Sequence, residues 1–158
     1  MSDRGVFLAA FLTLVLVVAS AFAIPELFIH ELLTSAIFVV IAVMVFFGED
    51  KFPYMLGTVA PTIWIIYGVL TGAFAGDFGA MFRFLSGKPS APLETPLHGF
   101  AILAGLALLI LSFRAWRKQV SDKFFGKTFA IAIVVSLVWI AILVYWQFHQ
   151  FSAGARPQ

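Results

Sequence analysis

Cysteine is absent from this 158-residue chain, and charged side chains are scarce. Without cysteine the protein has no disulfides, no thiolate-ligated iron–sulfur or zinc site and no thiol nucleophile. Charged residues make up 11% of the chain, whereas a soluble domain carries about 25%. With 62% apolar residues and a mean hydropathy of +1.03, the composition excludes a soluble globular domain, a disordered chain and a nucleic-acid binder. The sequence predicts an integral membrane protein.

Five apolar segments are each long enough to cross a bilayer, which takes about 20 residues. The predicted spans are residues 5–24, 26–47, 54–76, 97–116 and 128–148. Pro25 separates the first two, because one helix over both would be about 65 Å long, twice the hydrocarbon thickness. The first run is longer than a signal-peptide core of about 7–15 residues, so we interpret it as a retained helix. We expect one all-α domain over residues 1–158, a polytopic membrane helical bundle.

The connection that follows the third predicted span includes a short apolar segment. Residues 78–85 are too apolar for a solvated loop and too few to span the bilayer. We expect this segment to lie in the interface, with the Arg83 side chain extending to the headgroups.

Positive charge is distributed unevenly between the predicted loops. One side holds Arg4, Lys51, Arg114, Arg117, Lys118, Lys123 and Lys127, and the other holds Arg83, Lys88 and Arg156. The positive-inside rule therefore predicts a cytoplasmic N-terminus and a C-terminus outside, in a bacterial inner membrane.

The loop between the fourth and fifth spans combines basic and aromatic residues. Such a loop at a helix end is typical of an anchor on anionic lipid rather than a nucleic-acid surface. The expected lipid contacts are Arg114, Arg117, Lys118, Lys123 and Lys127.

All three histidines, His30, His98 and His149, fall at the predicted outer ends of the spans. Glu26 and His30 are four residues apart, a spacing that places two metal ligands on one helix face. Two interpretations stay open. In the first, the residues form a site: the histidines bind a cofactor (haem or a quinol headgroup), or Glu26, His30 and Glu31 bind a metal. In the second, they lie at the membrane interface because the free-energy cost of an ionisable group is lowest there.

His30 and Glu31 lie about 6–8 Å inside the start of the second predicted helix, where an ionisable group is more costly. Thr34 and Ser35 continue the stripe of Glu31, while Phe28 and Leu32 occupy another face. We therefore expect Glu31 to face the bundle, with His98, His149 or a backbone donor at the start of the fourth span as its partner.

Gly68, Gly72 and Gly76 recur every fourth residue in the third predicted span. This repeat predicts a groove for close helix packing, either against a neighbouring helix of the same chain or against a partner subunit. A substrate path along this helix is the third alternative.

Ionisable residues are missing from the middle turns of the first, third, fourth and fifth predicted helices. This argues against proton pumps, voltage sensors and a haem held at the midplane, and no catalytic motif is present. We expect a non-enzymatic membrane protein that acts as a helix-packing subunit of a larger assembly or as a small transport-associated protein. The alternative is an outer-face site for a metal, haem or quinol in an electron-transfer complex; no cofactor is firmly implied.

Overall fold

The structure is a computed structural model and describes residues 2–48, 51–88, 95–119 and 126–154. Within these ranges all regular secondary structure is helical, and a single 3-10 turn at Pro25–Leu27 precedes the second helix. The helices are α1 (Ser2–Ala23), α2 (Phe28–Phe46), α3 (Phe52–Leu70), α4 (Ala73–Leu85), α5 (Pro96–Gln119) and α6 (Lys127–Gly154).

Five of these helices, α1, α2, α3, α5 and α6, are long and apolar enough to cross a membrane. The prediction of an all-α chain with five candidate spans is therefore confirmed. The 13 residues of α4 are too few to span a bilayer. This helix contains the apolar segment 78–85.

The third predicted span, residues 54–76, is wrong at its C-terminal end. Helix α3 ends at Leu70, and Gly72 adopts a left-handed conformation with φ of 73°. A residue in this conformation stops a helix, and glycine takes it without steric cost. The chain turns at Gly72 and continues as a separate helix, α4.

This break also separates the three glycines of the predicted groove. Gly68 lies on α3, Gly72 in the turn and Gly76 on α4, so they do not line one helix face. Gly68 does allow close packing, because a Cβ there would lie 2.3 Å from Phe74 Cε1. Gly72 and Gly76 have no other group close to the Cβ position. The contact made by Gly68 is internal to the chain.

The bundle is held by two sets of helix contacts. Helix α1 packs on α2 and α5, and α3 packs on α5 and α6. At the centre, the buried Phe38 ring of α2 meets Trp64 of α3 and Trp139 of α6 edge to face, with centroids 5.5 and 6.2 Å apart. Trp139 Nε1 also donates a hydrogen bond to the Leu33 carbonyl at 2.9 Å, which joins α6 to α2.

At the end of the bundle where α1 begins, the Asp3 carboxylate joins three helix ends by hydrogen bonds. Asp3 Oδ1 accepts hydrogen bonds from the Tyr54 hydroxyl at 2.6 Å and from Gln119 Nε2 at 3.0 Å. The start of α1, the start of α3 and the end of α5 therefore lie together. We call this the Asp3 end, and the other end the cavity end.

Helix α4 folds back at the cavity end and packs on the start of α5. The approach depends on Gly99, because a Cβ there would lie 2.7 Å from Met81 Cβ and 3.0 Å from the Asp77 carbonyl oxygen. This close contact brings Asp77 beside the first turn of α5.

Replacing Gly99 with alanine should therefore loosen α4. The new methyl meets the Asp77 backbone, which cannot rotate away as a side-chain end does, so we expect a lower melting temperature in detergent. Gly76→Ala is the matched control on the open side of α4, and it should be neutral or stabilising by about 0.5–1 kcal/mol. Equal melting temperatures for the two variants would show that α4 does not pack closely against Gly99 of α5.

Candidate ligand-binding site at the cavity end

Four helices bring ionisable or aromatic side chains together at the cavity end. Helix α2 contributes His30 and Glu31 from its first turns, α5 contributes His98, and α4 contributes Asp77. The last turn of α3 adds Tyr67. Glu31 is 2% exposed, so its carboxyl group lies inside the bundle.

Two carboxylates flank the His98 imidazole. Its Nε2 lies 2.6 Å from Glu31 Oε2, and its Nδ1 lies 3.4 Å from Asp77 Oδ1. An imidazolium ring carries an N–H on each nitrogen and matches both acceptors. The result is an acid–imidazole–acid bridge that connects α2, α5 and α4.

The Ser20 hydroxyl of α1 adds a further donor to the bridge. Its single O–H has two acceptors in reach, Glu31 Oε2 at 3.2 Å and the Val17 carbonyl oxygen at 2.7 Å. Four helices therefore meet through Glu31, His98 and their neighbours, in a region where an unpaired polar group is costly.

The bridge forms one wall of a cavity of about 90 Å³, which we call the polar cavity. Its other walls combine polar groups with the three aromatic side chains Trp64, Tyr67 and Phe74. They include His30, Thr34, Trp64, Tyr67, Phe74 and Gln147. The Tyr67 hydroxyl donates a hydrogen bond to Gln147 Oε1, which ties the end of α3 to α6 across the cavity.

A wider space of about 360 Å³ adjoins the polar cavity, and we call it the cavity mouth. The two spaces share the walls formed by His30, Glu31, Asp77 and His98, and the mouth adds the exposed Glu26. Three carboxylates and two imidazoles therefore line one continuous region, which favours a ligand that donates hydrogen bonds or carries positive charge.

His30 has an unused polar atom in this region. Its Nδ1 is buried and has no hydrogen-bond partner among the residues that the structure describes. A buried polar atom without a partner is uncommon in folded proteins, and a bound molecule is one way to satisfy it. His30 is also one of the residues that line both the polar cavity and its mouth.

The predicted orientation of Glu31 is confirmed, since its side chain faces the bundle and has His98 as a partner. Thr34 and Ser35 are buried with it, and Leu32 is exposed, as the polar stripe indicated. His30, His98 and Glu26 line the same region. His149 does not, because it lies on the exposed surface of α6 with its ring against Tyr145, at a centroid distance of 6.0 Å.

The metal site at Glu26, His30 and Glu31 stays a prediction. Across the described ranges, no three carboxylate or imidazole side chains are placed to hold a metal ion. The Glu31 carboxylate contacts His98 and Ser20.

Asp77, Ser20, Tyr67 and Gln147 were not among the predicted site residues. Asp77 directly follows the third predicted span, residues 54–76. The glycine at position 72 was the available signal, because a left-handed residue there turns the next helix back over α5. Nothing local in the sequence indicates that Ser20, Tyr67 and Gln147 contact the site.

Glu31→Leu tests whether the bridge stabilises the bundle. Leucine removes the carboxylate and leaves His98 without its closest acceptor, so we expect a loss of about 1–3 kcal/mol in the free energy of unfolding. The control is Glu26→Leu at the exposed mouth, which should change stability by less than about 0.5 kcal/mol. Thermal unfolding in detergent compares the two, and a rise in stability for Glu31→Leu would show that the carboxylate has no effective partner.

A scan of protein-family models, a search of curated proteins and a search of solved structures each found no match to this chain. The function proposed below follows from the chemistry of the polar cavity and its mouth.

Proposed function

We propose that this chain is a membrane-embedded binding protein whose polar cavity and mouth hold the hydroxylated ring of a quinol. The observation that carries the proposal is the Glu31–His98–Asp77 bridge, which lines a cavity at one end of the bundle. Its Glu31 is buried, and its His98 and Asp77 are half-buried. Ionisable side chains at such positions in membrane proteins commonly mark a functional site.

The chemistry of the lining favours a ring with two hydroxyl groups. Each carboxylate offers two oxygens with several acceptor positions, so Glu31 and Asp77 retain acceptor capacity beyond their contacts with His98. Trp64 and Phe74 meet edge to face at 5.5 Å and supply an apolar wall for the ring itself. Ligand sites of this kind combine apolar walls with a few placed polar groups.

The dimensions also suit a single ring. A cavity of about 150 Å³ is enough to hold benzene. The mouth, at about 360 Å³, has room for a substituted ring, and the polar cavity of about 90 Å³ extends beneath it for one hydroxyl edge. The ring nitrogens of His98 both face carboxylate oxygens, which disfavours His98 as an axial ligand of haem.

The first experiment is a calorimetric titration of the detergent-purified protein with a tail-free dimethoxy-methyl hydroquinone. We expect saturable binding that weakens about tenfold or more in Asp77→Asn, because a hydrogen bond to a charged group contributes about 1.5–3 kcal/mol. His30→Gln should also weaken binding, whereas the matched variant His149→Gln should not. The proposal is overturned if the folded wild-type protein shows no saturable binding. It is also overturned if the absorption spectrum and elemental analysis of the purified protein show stoichiometric haem or transition metal.

The predicted role as a helix-packing subunit stays a prediction. The glycine repeat no longer supports it, because the one close contact of the three glycines joins Gly68 to Phe74 of the same chain.

We further propose that the Asp3 end is cytoplasmic, that the cavity end faces outside, and that the membrane is a bacterial inner membrane. Support comes from the basic residues of the Asp3 end. Arg114, Arg117 and Lys118 are exposed on the last turns of α5, and Lys127 is exposed at the start of α6. Their position favours contact with anionic lipid; Lys123, the other predicted contact, lies outside the described residues.

Reporter fusions test this orientation. A reporter after Gln158 should behave as translocated, and one inserted within residues 119–122 should stay cytoplasmic, because the excess of positive charge is retained inside. The reverse pattern would place the polar cavity on the cytoplasmic face.

A further inference from the structure

An apolar groove of about 370 Å³ lies on the outside of the bundle between α3, α4 and α5. Its walls are almost entirely hydrocarbon, and Val69, Phe78, Leu103 and Leu106 are among them. Val69, Leu103 and Leu106 are 64%, 45% and 43% exposed. Because α3 and α5 are candidate spans, this groove faces the bilayer near the cavity end.

The groove adjoins the polar cavity through shared walls. Gly68, Phe74 and Ile102 line both spaces. Of these, Phe74 is 8% exposed and its ring packs on Trp64 and over Gly68. The side chains of Phe74 and Ile102 thus lie between the carboxylate-lined cavity and the apolar groove.

We infer that the ligand is an amphiphile: a quinol whose ring occupies the polar cavity and mouth, and whose prenyl or alkyl tail leaves past Phe74 and lies in the apolar groove. The inference rests on the proposed function and adds the ligand class, a membrane-dissolved quinol rather than a water-soluble one. It also implies that the ligand reaches the site sideways from the bilayer.

The contrast between the two spaces supports this occupant. A hydroxylated ring matches the acceptors Glu31 and Asp77, whereas a hydrocarbon tail matches the groove, and only a molecule with both parts fills the two adjoining spaces. An ordinary fatty chain matches the groove alone, because it has no hydroxylated ring to occupy the polar cavity. Since a tail gains little on moving from lipid to an apolar protein surface, its position is a better test than its effect on affinity.

The experiment uses a quinol with a photoreactive diazirine in the middle of a ten-carbon tail, added to the protein in nanodiscs. After irradiation, we expect mass spectrometry to find labels concentrated on the groove segments of α3, α4 and α5, and excess tail-free hydroquinone should displace them. A ten-carbon diazirine alcohol without the ring is the control probe, and it should label the lipid-facing surface, including α6, without this concentration.

Ala75→Trp gives an independent test, because Ala75 lines the groove but not the polar cavity or its mouth. The indole should fill the groove and reduce groove labelling at least about fivefold, while calorimetric affinity for tail-free hydroquinone stays within twofold of wild type. Ala130→Trp, at an exposed position of α6, is the matched control and should change neither.

The outcomes separate the two proposals. The inference is overturned if hydroquinone binds saturably but the labels are spread evenly over the helices. It is also overturned if the ring-free alcohol labels the groove equally. In both cases the proposed function stands. Absence of hydroquinone binding would overturn both.

Discussion

The bridge between Glu31, His98 and Asp77 is the interaction on which the cavity end depends. A carboxylate buried among membrane helices requires a partner, because desolvation of an unpaired charge is far more costly than any packing gain around it. His98 supplies that partner from α5, and its second nitrogen faces Asp77 of α4. One imidazole thereby fixes how three helices approach each other and leaves an acceptor-rich cavity beside them.

The second constraint is the turn at Gly72, which creates α4. A helix that continued to Gly76 would carry the following residues away from the bundle. The left-handed glycine instead reverses the chain, Phe74 packs over Gly68, and Gly99 lets α4 approach α5 closely enough to place Asp77 at the bridge. The polar cavity, its mouth and the apolar groove all have walls from the residues that follow this turn.

Elsewhere, several hydroxyl groups are satisfied within their own helices without forming a site. The hydroxyls of Thr13, Thr58 and Ser136 donate to the carbonyl four residues earlier in their own helices. At the Asp3 end, a single carboxylate joins three helix ends through Tyr54 and Gln119. The interior between the two ends is held mainly by apolar and aromatic contacts, so ligand chemistry is concentrated at the cavity end.

The sequence by itself determined the five candidate spans and the inward orientation of Glu31. Both depend on local information: apolar run length in the first case and helical periodicity in the second. Only the tertiary structure decided that α3 stops at Leu70, that Asp77 meets His98 and that His149 stays on the surface. A glycine permits a turn without requiring it, and whether residues distant in sequence meet depends on how whole helices pack, which no short segment encodes.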